Sequence, residues 1–165
     1  MSQENIDLVR RIYGLAAEDG NLSPSFHLLD PEVEYVNPDG AMEPGTRRGL
    51  EAFREAVEKV GEAWEFWRME PEEFKAVGDH VAVAVRYRAR GRGSGVEIQG
   101  HESALWTVRN GKVIRFQWFL NSEDAFEAAG LSEQAMSREN VAVVREAVER
   151  FNRGDDDGFR FEVEE

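Results

Sequence analysis

The chain has 165 residues, 41% of them apolar, and a formal net charge of −13. That apolar content supports a packed core in one domain of about 130 residues plus an appendage. The acidic balance disfavours nucleic-acid backbones, and no run of eighteen apolar residues is present to form a membrane-spanning helix, so neither nucleic acid nor membrane is an expected partner.

Ser2 is a good N-cap, and Ile6, Val9, Tyr13 and Ala16 then recur at helical spacing, widened by Leu8 and Ile12. Asp19-Gly20-Asn21 ends this helix, and Ser23-Pro24 opens a short second one. Val33, Tyr35 and Asn37 alternate with Glu34 and Val36 as a short strand. The stretch from Pro38 to Gly49, rich in proline and glycine, reads as a loop. Leu50, Phe53, Val57, Val60 and Trp64 mark a third helix with a Glu55–Lys59 pair on its outer side.

From about residue 67 the period changes to two. Strands are expected over roughly 68–77, from His80 to about Arg90, through Val108 after a Gly-rich turn, and from Lys112 to Leu120. Asn110-Gly111 is a strong hairpin signal. Asn121 or Ser122 caps a last short helix ending at Gly130. Helices followed by a meander give an α+β domain, a curved antiparallel sheet wrapped around its N-terminal helices.

The chain also repeats its opening: residues 1–10 read MSQENIDLVR and residues 136–145 read MSRENVAVVR. Val141, Val144, Val148 and Phe151 give the second copy an apolar stripe, and Gly154 with Asp155–Asp157 breaks it. The expected organisation is a domain over 1–131 and, over 132–165, an amphipathic helix with an acidic tail. The stripe needs a cover, either the first domain or a dimer mate.

The order of these pieces, carried by LLDPEVEYVNP, GLEAFREAV, VRNGKVIRFQWFL and EDAFEAAGL, resembles the SnoaL-like branch of the nuclear transport factor 2-like superfamily over about residues 3–131. The resemblance implies a cone, a cystatin-like α+β barrel with a pocket between its concave face and the helices. It also implies that the repeat is a truncated tandem copy. Its members include isomerases, cyclases, epoxide hydrolases and proteins that only bind.

Strand alternation selects the side chains that reach such a pocket. Gly100, Glu102, Ala104, Trp106 and Val108 share one face, as do Ile114, Phe116, Trp118 and Leu120, with Val33, Tyr35, Asn37 and Tyr13 joining them. The general-base aspartate of ketosteroid isomerases matches Asn37 here, which cannot accept a proton at neutral pH. That family's pocket tyrosine matches Tyr13, and its second acid falls on Ala104. The histidine and aspartate of SnoaL-type cyclases fall on Ala104 and Trp118, so no inherited mechanism follows.

The candidate catalytic residues are Glu102 and Tyr13. Burial beside aromatics is expected to raise the Glu102 pKa, unless a bulge near Gly100 turns the side chain to solvent. The candidate ligand-binding residues are Tyr35, Asn37, Trp64, Trp106, Phe116 and Trp118; the four tryptophans, Trp67 included, are first of all core filler and also make a pocket for a flat, apolar ligand plausible. His27, His80 and His101 are scattered without ligand spacing, so no metal and no cofactor is expected. The absence of cysteine fits the cytoplasm, and the N-terminus has no secretory pattern.

Arg86, Arg88 and Arg90 read as a paired, solvated stripe. Leu105, Val113 and Phe119 on the outer face suit a homodimer contact. Three functional readings remain open: a pocket for a small hydrophobic molecule, an acid–base enzyme using Glu102, and an interaction module with a filled cone.

Overall fold

The computed structural model describes residues 2–16 and 20–130. Contacts group the chain into Met1–Ala129 and Gly130–Glu165, and the sheet lies in the first unit. The repeated helix and the tail expected over 132–165 lie outside the described residues.

Helix α1, Ser2–Leu15, forms where the apolar stripe is expected. Val9, Ile12, Tyr13 and Ala16 along it are nearly inaccessible to solvent. The second helix, Ser23–Leu28, is a 3-10 turn. The Asn21 side chain accepts the Ser23 N–H at 3.0 Å, so the asparagine expected only to end α1 supplies the local turn bond. Strand β1, Leu29–Asn37, pairs with a short exposed strand β2, Gly45–Arg48, inside the segment expected to be a loop. Helix α2 runs Leu50–Ala63, and Trp64 opens strand β3, Trp64–Val77, rather than closing the helix. Strands β4 (His80–Gly91), β5 (Glu97–Arg109) and β6 (Lys112–Phe119) complete the meander. Asn110 (φ 53°) and Gly111 (φ 76°) both sit in the left-handed region, as a tight hairpin with the native strand twist requires.

The six strands form one curved open sheet in the order β2-β1-β6-β5-β4-β3, with β2 and β3 at its edges. The sheet is not antiparallel throughout: β1 and β6 run parallel. A parallel neighbour needs a crossover rather than a hairpin, and α2 with the meander provides it.

Two registers decide which residues face inward. Strands β4 and β5 pair without interruption from His80↔Thr107 to Arg90↔Glu97. The bulge considered near Gly100 is therefore absent, and Glu102 lies opposite Val85 on the concave face. A bulge does occur between Thr107 and Val108 against β6, where Val108 pairs with Val113. This shift carries Val113 into the core, fully buried, and leaves Ile114 out of it. The expected assignment of these two residues is thus reversed, because one extra residue inverts the alternation beyond it.

The concave core joins α1, the 3-10 turn, α2 and the inner faces of all strands except the exposed β2. On the convex face, a helical segment over 124–130 covers Val77, Ala82 and Leu105 with Ala125 and Ala129, and Phe119 and Phe126 pack beside them. Asn121 caps this segment by accepting the N–H groups of Glu123 and Asp124. Of the residues from which a dimer contact was expected, Leu105 is therefore covered within the chain and Val113 lies inside the core. The arginine stripe is ion-paired: Arg86 with Glu70, Arg88 with Glu97, and Arg90 with Glu97. These exposed pairs contribute little individually.

Gly20 (φ +81°) brings the chain after α1 against β3, where a Cβ would lie 1.7 Å from the Trp67 carbonyl oxygen. Gly20→Ala is expected to destabilise the protein by at least about 2 kcal/mol in urea unfolding, since backbone must move and the φ is strained. An unchanged midpoint would contradict this close approach.

Candidate functional site

The concave face is sealed at one end and unsealed at the other. Val81, Val83 and Val85 on β4 are at most 1% exposed, as is Trp106 on β5. Strand β6 stops at Phe119, opposite Ser103, so beyond that point β5 pairs with β4 alone. There Trp67, Tyr87, Gly100 and Glu102 are only partly buried, and Trp118 is partly buried at the end of β6.

At the sealed end the candidate residues support one another. The Trp106 indole N–H donates to the Tyr13 hydroxyl at 3.2 Å. The Tyr13 ring meets Trp106 and Phe74 edge-on, and Trp106 lies 4.5 Å from Phe116 between ring centroids. Tyr35 packs between Phe53 and Phe116. Tyr13, Tyr35, Trp106 and Phe116 are thus one aromatic cluster, and the first, third and fourth are buried in it.

Asn37, which stands where a general base would be, is tied at both ends. Its Oδ1 accepts the Trp118 indole N–H at 2.6 Å, and its Nδ2 donates to the Glu43 carbonyl at 2.8 Å. The Glu43 carboxylate in turn pairs with Lys59 on α2 at 3.0 Å and with Arg47 on β2. The amide therefore fastens the β1–β2 hairpin to β6 and α2, and an aspartate would lose the donor to Glu43.

Glu102 is the only carboxylate among the inward-facing residues described above. The Trp67 indole N–H hydrogen-bonds to it, which favours its charged form, but burial outweighs that bond and pushes the carboxyl up to about 7. Burial also raises Tyr35 to about 12, with the Glu102 charge adding to the effect, and raises Tyr13 further. Both phenols hold their protons at neutral pH. Trp67 stacks on Tyr87 at 4.8 Å and 12°, and Trp64 meets Trp67 edge-on at 5.1 Å. Opposite Tyr87, Gly100 leaves room for its ring, because a Cβ there would lie 2.8 Å from the hydroxyl.

Sequence reasoning named Glu102 and Trp64 but left out Trp67 and Tyr87, the two residues that build the carboxylate's surroundings. The signal was available in the alternation Val81, Val83, Val85, Tyr87 and in the Gly100 facing it. Trp67 was harder to see because β3 starts four residues earlier than expected and carries a bulge between Trp64 and Phe66.

His101 is exposed on the convex side, 3.8 Å from Glu72. It lines a groove of about 770 Å³ with Glu72, Lys75, Ser122 and Phe126, on the side of the sheet away from Glu102. Among the described residues, no group of three or more His, Asp or Glu side chains is gathered to hold a metal ion, and no helix is long and apolar enough to cross a membrane.

A curved sheet closed over N-terminal helices around an aromatic interior defines the nuclear transport factor 2-like, or cystatin-like, class of α+β folds. The chain belongs to the SnoaL-like domain family, whose model matches residues 9–116. It is similar in fold to a nuclear transport factor 2-like protein of unknown function from Burkholderia pseudomallei K96243, at 21% identity and a TM-score of 0.64, over 75% of this chain and 95% of that one. A candidate SnoaL-like polyketide cyclase from Jannaschia sp. CCS1 is 20% identical with a TM-score of 0.62, over 72% and 85% of the two chains. TerC, co-crystallised with polyporic acid, is 23% identical with a TM-score of 0.63, over 77% and 98%. No curated protein matches the sequence.

The raised Glu102 pKa has a thermodynamic consequence. The unfolded carboxyl titrates near 4.5 and the folded one near 7, so between these values the folded state holds the extra proton and stability falls as pH rises. Glu102→Gln should be more stable than the parent at pH 8, by up to about 3 kcal/mol, with the gap closing toward pH 4.5. Urea unfolding of both proteins at pH 5 and pH 8 measures this, and a gap independent of pH would place the carboxylate in water.

Proposed function

We propose that the domain binds a small hydrophobic, ring-bearing molecule on the unsealed part of its concave face, with Glu102 as the polar group that meets it. The observation that carries this reading is the placement of one partly buried carboxylate among partly buried aromatic side chains, beyond a core that is otherwise closed. Ligand sites are typically apolar concavities with few convergent polar groups, and this arrangement has that composition. The co-crystallisation of TerC with polyporic acid supports the capacity of such a fold to take a small molecule.

A neutral fluorescent probe tests the reading. N-phenyl-1-naphthylamine should bind saturably to the full chain, and Trp67→Ala should weaken it by about fivefold or more, the loss of one stacked ring. Arg88→Ala, on the convex face, should leave binding unchanged. Non-saturable binding by the parent, or equal loss with both variants, would overturn the proposal and favour a filled cone with protein partners.

A second reading has one specific observation in its favour. A carboxyl that titrates near neutrality is suited to accept and return a proton, so an isomerase- or cyclase-like acid–base reaction on the bound molecule is the enzymatic alternative. In that case Glu102 is the acid–base group, and Tyr13, already hydrogen-bonded to Trp106, orients the aromatic wall. Any turnover found should vanish in Glu102→Gln while the neutral probe still binds; retained turnover would exclude the role.

A further inference from the structure

We propose that the polar end of the molecule received at this site is a cationic amine, seated against the Glu102 carboxylate and the Trp67–Tyr87 pair. The inference rests on the reading that the concave face takes a small hydrophobic molecule, and it assigns the charge of that molecule's polar end.

Three indole donors at the site are already used. Trp67 donates to Glu102, Trp106 to Tyr13 and Trp118 to Asn37. The Asn37 amide donates to the Glu43 carbonyl. A carboxylate offers roughly four acceptor positions, and the Trp67 indole fills one. The carboxylate therefore has acceptor capacity to spare.

Among the described residues, no lysine, arginine or histidine forms an ion pair with Glu102, whereas the arginines of β4 are all paired with glutamates on the convex face. Arg47, whose charge acts on Tyr35, is held by Glu43. A partly desolvated anion without a countercharge is costly, and a ligand cation removes that cost. An anionic ligand would set two like charges together, and an alcohol would fill an acceptor position without adding charge. The faces of Trp67 and Tyr87 add attraction for a cation, and the net charge of −13 enriches cations near the protein.

Three naphthalene probes of matched size separate these cases: 2-(1-naphthyl)ethylamine, 2-(1-naphthyl)ethanol and 1-naphthylacetate, titrated calorimetrically into the full chain at pH 7.5. The amine should bind about tenfold tighter than the alcohol, with the acid weakest. Glu102→Gln should bring the amine to the level of the alcohol while leaving the alcohol within about twofold of its parent affinity. The ranking in the parent protein decides without recourse to the variant. An acid that binds as well as the amine, or an amine preference that survives Glu102→Gln, overturns this inference. Equal binding of all three also overturns it and leaves the hydrophobic site standing, whereas no binding of any probe overturns both.

Discussion

The uninterrupted pairing of β4 with β5 is the constraint on which the rest of the site depends. Side chains on a strand alternate between faces, so a single slipped residue anywhere from His80↔Thr107 to Arg90↔Glu97 would have exchanged the two faces of β5 beyond it. With the register unbroken, Glu102 falls inside and His101 outside. The same pairing puts Gly100 under the Tyr87 ring and keeps Trp106 opposite Val81. The carboxylate's position is thus set by backbone hydrogen bonds rather than by a salt bridge that could hold it elsewhere.

That position has consequences for the chemistry around it. A carboxylate in water has a full shell of donors; here Trp67 supplies one, and aromatic and aliphatic groups supply the rest of the surroundings. The neighbouring phenols are also harder to ionise, chiefly through their own burial, with the Glu102 charge adding to it. Tyr13 therefore acts as a neutral hydroxyl bonded to Trp106. Asn37 is tied to Trp118 and Glu43, so its polar capacity goes into fastening the hairpin. Among the inward-facing residues described, Glu102 is the carboxyl whose proton titrates near neutrality.

Much of the fold was legible because its signals are local. The α1 stripe, the Asn110-Gly111 turn and the alternation of β4 each depend on residues close in sequence, and each predicts its element. The family motifs supplied the curvature. What escaped was set by tertiary pairing. The four residues of β2 have no apolar alternation, and they are a strand only because β1 lies alongside. Trp64 fits the helical spacing of α2, yet it opens β3, where it pairs with Gly91. Val113 and Ile114 exchange roles because of a bulge whose existence depends on the Thr107–Arg115 and Val108–Val113 pairings. In the site, Glu102 was readable from alternation. Its partner Trp67 was not, because the strand carrying it was not expected to extend that far.

The parallel junction of β1 with β6 bears on the order in which the molecule is built. Strands β3 to β6 are joined by short turns and can assemble from neighbours in sequence, a low-entropy route. Strand β1 has β2 as a local partner but meets β6 only across the whole length of the meander, whereas α1 packs on β3 and β4 within it. The aromatic cluster of Tyr35, Phe53 and Phe116 draws on β1, α2 and β6 together, so it depends on that long-range pairing. The half of the sheet that carries Glu102 is thus built from pairings local in sequence, and the side that fastens Asn37 to Trp118 rests on the long-range one.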